Sequence, residues 1–199
     1  TTGTQTYTGA ATLSGGDRTL QGSTINFGNT LTGTGSHDLI ITGALNLDGA
    51  ATSIVDLSVS TTSNLGANVT TTGTQTYTGA ATLSGGDRTL QGSTINFGNT
   101  LTGTGSHDLI ITGALNLDGA ATSIVDLSVS TTSNLGANVT TTGTQTYTGA
   151  ATISANITLT TSDNDVTFSS TTNLRVAGMT LCFANPALAA TALQPEAYR

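Results

Sequence analysis

Residues 20–49 read LQGSTINFGNTLTGTGSHDLIITGALNLDG. Two phrases in that stretch share one plan, LQGSTINFG at 20–28 and ITGALNLDG at 41–49, and STTSNLGANV follows at 60–69. Each sets small polar residues before an apolar residue and then a polar one, and the phrases recur at a short, nearly regular period. Within them apolar residues alternate: Ile25 and Phe27, Leu39 and Ile41, Leu45 and Leu47, Leu57 and Val59. A period of two marks strands with one buried face. Gly22, Gly28, Gly43, Gly49 and Gly66 punctuate the pieces and read as turns. A coil of about 20–23 residues carrying short strands is the size of one turn of a parallel β-helix, a β-solenoid. Small side chains are expected inside such a coil, with Thr and Asn outside. The competing architecture is a string of antiparallel β-sandwich modules of about 70 residues. The short phrase period, the very short strands and the lack of one bulky aromatic cluster per unit favour the solenoid.

A longer period contains the shorter one. Residues 1–70 and 71–140 are identical, and a third copy runs to Thr152 before diverging at Ile153. The chain thus divides into a first unit (1–70), a second unit (71–140), a diverged continuation (141–176) and a tail (177–199). Identity extends to loop positions that packing does not constrain, which points to recent tandem duplication and a variable copy number. In the continuation, Ile157, Leu159, Val166, Phe168, Leu174 and Val176 still alternate, so further coils are expected. The tail holds the only Met, the only Cys and both prolines, and Asn185-Pro186 before ALAATALQ reads as the start of a short capping helix.

Composition bounds the function. Charged residues are 8% of the 199, there is no Lys or Trp, and apolar residues are 36%. Such a chain forms helices poorly and short strands well. The net charge of −7 is spread along the chain, with Asp17, Asp38, Asp48 and Asp56 against Arg18 in each full copy. No basic patch exists to meet phosphates, which argues against nucleic acid and anionic membranes as partners. No apolar run approaches the ~20 residues of a transmembrane helix. The single Cys182 rules out an intrachain disulfide. Thr1 lies in repeat phase with no signal peptide before it, and the chain reads as a piece of something longer.

The chemistry-bearing residues form no catalytic set. His37 and His107 are one position in two copies, each in GSHDL, and neighbours on a strand point to opposite faces, so Ser36 and Asp38 flank the ring instead of engaging it. The acidic turns at Asp17 and Asp48, and the SDNDV segment with Asp163 and Asp165, lack the spacing of calcium loops. GTGSH lacks the lysine and helix of a phosphate loop. The triplets Thr4/Thr6/Thr8 and Thr30/Thr32/Thr34 have the Thr-x-Thr form of ice-binding faces but recur too rarely for a ladder. No catalytic, cofactor or metal residue is assigned. Tyr7, Tyr77 and Tyr147 are expected in one line along the rod, three or four coils apart, with Thr4, Thr6 and Thr8 facing the other way.

TTGTQTYTGAATL at 1–13, followed by LQGSTINFG, resembles the Thr/Gly-rich repeats of bacterial large exoproteins similar to filamentous haemagglutinin. The likeness covers about residues 1–176. It implies export to the cell surface, a right-handed parallel β-helix stalk and adhesion to surfaces, hosts or other cells. With no catalytic set among its residues, the chain is expected to be a non-enzymatic stalk segment whose partners are host-cell, glycan or surface ligands. The alternatives are a filament or matrix protein that associates end to end, an ice-binding β-helix and a carbohydrate-active one.

Overall fold

The computed structural model describes residues 1–104, 106–162, 164–175 and 181–184. The expected helix after Asn185, together with Asp163 and Val176, lies outside the described residues. The described residues form 24 strands and no helix. The first unit contains β1 (Gln5–Tyr7), β2 (Ala11–Thr12), β3 (Arg18–Phe27), β4 (Leu31–Thr32), β5 (Leu39–Leu47), β6 (Ala51–Ile54), β7 (Leu57–Val59), β8 (Ser63–Leu65) and β9 (Val69–Thr71). Every pairing among them is parallel, and each strand pairs with strands about one coil away. The described residues form an all-β solenoid of about nine coils, as the alternation and phrase spacing predict.

Two glycines read as turns sit inside strands. β3 and β5 run side by side through a corner, with the register shifting between Gln21 and Thr24. Gly43 takes φ +146°, and a Cβ there would collide with the Gly22 carbonyl oxygen. Only a residue without a side chain lets one coil lie so close on the next. Conversely, the run IVDLSVS splits at Asp56 into the end of β6 and β7.

The coil has three faces. The first begins at β1, the second at β2 and the third at the start of β3. On the first face Gln5 pairs Ile25, Ile25 pairs Leu45, Leu45 pairs Ser63 and Ser63 pairs Ala81. The first two of those coils match the expected length, and the next two are slightly shorter. The third face stacks Leu20, Ile41, Val59, Tyr77, Phe97, Leu117, Leu135, Ile153 and Leu174. The second stacks Leu90, Ile111, Val129, Tyr147 and Phe168.

These registers overturn the expectation that the tyrosines share a line. Tyr7 lies on the first face, Tyr77 on the third and Tyr147 on the second. The physical reason is a count. Nine strands per unit, two of them bent through a corner, give eleven strand segments. Eleven segments at three per coil make three and two-thirds coils. Each unit therefore advances ~18 Å along the axis, taking ~4.8 Å per coil, and turns by two-thirds of a revolution. The question of three or four coils per unit resolves to neither.

The core is one continuous column. Ile25, Phe27, Leu39, Ile41, Leu47, Ile54, Val59, Leu65 and their copies are essentially inaccessible. Each such side chain contributes roughly 1.5–3 kcal/mol on burial. The small inward side chains expected of a narrow coil are the exception. Leu, Ile and Val fill the interior, with one stacked aromatic pair per unit. Tyr7 stacks on Phe27 at 5.0 Å, Tyr77 on Phe97 at 5.3 Å and Tyr147 on Phe168 at 5.0 Å. In the continuation Ile157 and Leu159 are buried, whereas Leu174 is exposed.

Candidate functional site

Three features stand out along the rod: an inner polar clamp, a corner of stacked loops, and ladders of polar side chains on the faces.

The clamp is built by the QTY triplet. Gln75 and Tyr77 point inward and are fully buried. Gln75 Nε2 donates to the carbonyls of Val69 (3.2 Å) and Gln91 (2.8 Å) and to Thr71 Oγ1 (3.4 Å). Tyr77 donates its hydroxyl hydrogen to Gln75 Oε1 at 2.9 Å. Gln145 repeats the arrangement with Val139, Thr141 and Thr160, and Tyr147 donates to it at 3.2 Å. Burial pushes both phenols well above their ordinary pKa. The clamp at Gln75 reaches back to Val69 and forward to Gln91, so the triplet holds successive units together. Sequence reasoning placed Tyr7 inward but did not foresee a fully buried glutamine, because a polar residue beside threonines carries no burial signal.

The corner stacks the loop at 14–17 under the loop at 33–38. Gly16 N–H donates to His37 Nε2 at 3.2 Å. Asp17 Oδ1 accepts from the Asp38 amide (3.0 Å), Asp38 Oδ1 from the Asp56 amide (3.1 Å), and Asp56 Oδ1 from the Thr74 amide (2.5 Å). The second unit repeats the staircase through Asp87, Asp108, Asp126 and Thr144. These carboxylates satisfy main-chain donors one coil on, which ties each corner to the next. His37 engages the coil below; it and Asp38 lie in the loop between β4 and β5 and not on a strand, so the expected strand alternation does not set their directions. In the second copy His107 Nδ1 stands 4.0 Å from Asp87 Oδ1. Arg88 folds inward and is buried, its Nε donating to the Leu65 carbonyl at 2.9 Å and Nη1 to the Asp87 carbonyl at 2.7 Å. Nη2 reaches the carbonyls of Gly66 and Ser84. Burial lowers its pKa, and the neighbouring Asp87 charge opposes that. Among the described residues, no three His, Cys, Asp or Glu side chains converge as metal ligands. Cys182 is exposed on a strand paired with Thr158.

The faces carry ladders. On the first face Thr6, Asn26, Asn46, Asn64, Thr82, Thr102 and Thr122 stand one above another. Asn64 Nδ2 donates to Asn46 Oδ1 at 2.6 Å and Asn26 Nδ2 to Thr6 Oγ1 at 3.2 Å. The same series returns on the third face as Thr76, Asn96, Asn116, Asn134 and Thr152. There Asn134 Nδ2 donates to Asn116 Oδ1 at 2.9 Å, beside a shallow open groove lined by Thr94, Ala114 and Thr132. No rung of these ladders stacks one Thr-x-Thr triplet on another. Each rung comes from a different segment of the unit.

The chain matches no protein-family model, no curated protein and no solved structure. No helix among the described residues is long and apolar enough to cross a membrane.

Proposed function

We propose that this chain is a non-enzymatic stalk segment of a secreted bacterial surface protein of the large-exoprotein type, which holds an adhesive element away from the cell. One observation carries the stalk reading. The main-chain register runs through the unit boundary unchanged: Ser58 pairs Thr76, Ser63 pairs Ala81 and Val69 pairs Leu90. A unit joined to its neighbour by the same ladder that holds its own coils together adds length without adding a hinge. The clamp at Gln75 reinforces that junction from inside. Polar Asn and Thr ladders hydrogen-bond among themselves and blunt lateral association of rods. The adhesive and secreted parts of the reading rest on the repeat likeness.

The stalk reading is tested by chains carrying one, two and four full units, imaged by negative-stain electron microscopy. Particle length should rise by ~18 Å per unit at constant width. Length that grows with protein concentration at fixed copy number would point instead to an end-to-end filament. Adhesion is tested by displaying the chain on a non-adherent bacterium and measuring attachment to host cells and immobilised glycans. Attachment no greater than that of an unrelated solenoid would restrict this segment to spacing.

A further inference from the structure

We infer that the copy number of the repeat unit sets the direction in which everything beyond the array faces, in steps of one-third of a turn. The inference rests on the stalk reading and adds to it an angular function.

The third face can be followed rung by rung through outward residues: Thr19, Ile40, Ser58, Thr76, Asn96, Asn116, Asn134, Thr152 and Asn173. The first unit supplies the lower rungs, the second unit the middle ones and the continuation the top. In the unit's own sequence, Thr76 is Thr6 and Asn96 is Asn26, yet Thr6 and Asn26 stand on the first face. Every residue of the unit is thus displayed on the first, third and second faces in turn. Like returns above like only after three units, which make eleven whole coils and span ~53 Å.

Two consequences follow. A long array carries the same eleven-rung series on each of its three faces, so no face is reserved for one flat partner. The corner loops with His37 and His107, and the exposed Ile40 and Ile110 (each 43% accessible), spiral around the rod instead of lining one side. A partner that recognises one unit meets it from all directions, whereas a flat lattice touches equivalent sites only every third unit. Second, inserting or deleting one unit leaves every pairing in the array intact, because 141–152 repeats 71–82 letter for letter. It nevertheless rotates the continuation against the base by a third of a turn. Duplication within the array therefore changes both reach and aim, and changes of three units alter reach alone.

The test uses the full chain with Cys182→Ser and one spin label at Asn173→Cys. A second label is placed at Thr6→Cys, Thr12→Cys or Thr19→Cys, one on each face of the lowest coil. Electron-electron distance measurements compare the intact chain with a chain lacking 71–140. In the intact chain the Thr19 pair should be the shortest of the three. Deletion of one unit should make the Thr6 pair the shortest. The Thr19 pair remaining shortest after the deletion would overturn the inference. A failure of the mean distance to fall by on the order of 15 Å would instead contradict the stalk reading, so the two can fail separately. Circular dichroism identifies any labelled variant that does not fold. For such a variant the second labels move one coil up, to Asn26→Cys, Thr32→Cys and Ile40→Cys, which occupy the first, second and third faces in the same order. There the Ile40 pair should be shortest in the intact chain and the Asn26 pair after the deletion.

Discussion

Tyr77 and Gln75 form a closed polar pair inside a mostly apolar column, the phenol donating to Gln75 Oε1 at 2.9 Å while the amide nitrogen bonds main-chain carbonyls on successive coils. Gln75→Ala leaves the Val69 and Gln91 carbonyls and the Tyr77 hydroxyl without that partner. A buried polar group left unsatisfied costs about 1–3 kcal/mol. Urea unfolding of Gln75→Ala should show a clearly lowered midpoint. Gln5→Ala, in the end coil where Gln5 is only half-buried, should lower it much less.

Alkaline pH should unfold the rod through its tyrosines. Burial raises the pKa of Tyr77 and Tyr147. Below about pH 10, the ordinary phenol value, folded and unfolded states both hold the proton and these groups give no pH dependence. Above it the unfolded chain releases protons that the folded chain keeps. Stability then falls by up to about 1.4 kcal/mol per pH unit per tyrosine, until the folded value is passed. Phenolate absorbance from these two rings should emerge together with loss of β-sheet circular dichroism. Tyr147→Phe should flatten the alkaline slope; an unchanged slope would place the ionising phenols elsewhere.

The corner glycines set coil spacing. Gly113 holds φ +149°, and a Cβ there would collide with the Gly92 carbonyl oxygen. Gly113→Ala should therefore destabilise by at least about 2 kcal/mol, through backbone strain and a forced separation of coils. Gly9→Ala meets open space and should stay within about 0.5 kcal/mol of the parent. Thermal melting of the two variants side by side checks the contrast.

The aspartate staircase should depend on an acceptor oxygen at each step more than on its charge. Asp126 Oδ1 accepts from the Thr144 amide at 2.5 Å and from Thr144 Oγ1 at 3.1 Å. Asp126→Asn keeps a carbonyl acceptor and should retain stability to within about 1 kcal/mol, whereas Asp126→Ala strands the amide and should lose about 1–3 kcal/mol. Equal losses in both would assign the carboxylate a role that depends on charge. Chemical denaturation at low and high salt separates the two.

Much of this architecture is legible in the sequence because it rests on alternation. Ile25 and Phe27, Leu39 and Ile41, Leu45 and Leu47, and Leu57 and Val59 are the inward pairs, and the short-period phrases are the coils. Three things were hidden. Gly22 and Gly43 read as stops, although they are bends within continuous strands, because a glycine's letter does not say whether the ladder runs through it. The mixture of shorter and longer coils is set by corner geometry, and it alone decides whether a unit closes on a whole coil. The Asn46–Asn64 rung joins two of the short-period phrases, but the Thr82–Thr102 rung joins segments that share no phrase, so no motif search would have paired it. The Gln75 clamp and the Asp38 staircase were not legible, since each depends on which coil lies next.

The central claim is that one unit spans eleven strand segments, so that its copies stand on three different faces. Spin labels at Thr6→Cys, Thr76→Cys and Thr146→Cys, measured two at a time in a Cys182→Ser background, test it most directly. The three sites face outward from β-strands on the first, third and second faces. The account predicts a triangle: the 6–76 and 76–146 distances each exceed the axial advance of ~18 Å, and their sum exceeds the 6–146 distance by many ångströms. Three collinear labels, at ~18, ~18 and ~35 Å, would mean that the unit closes on whole coils and would contradict the account.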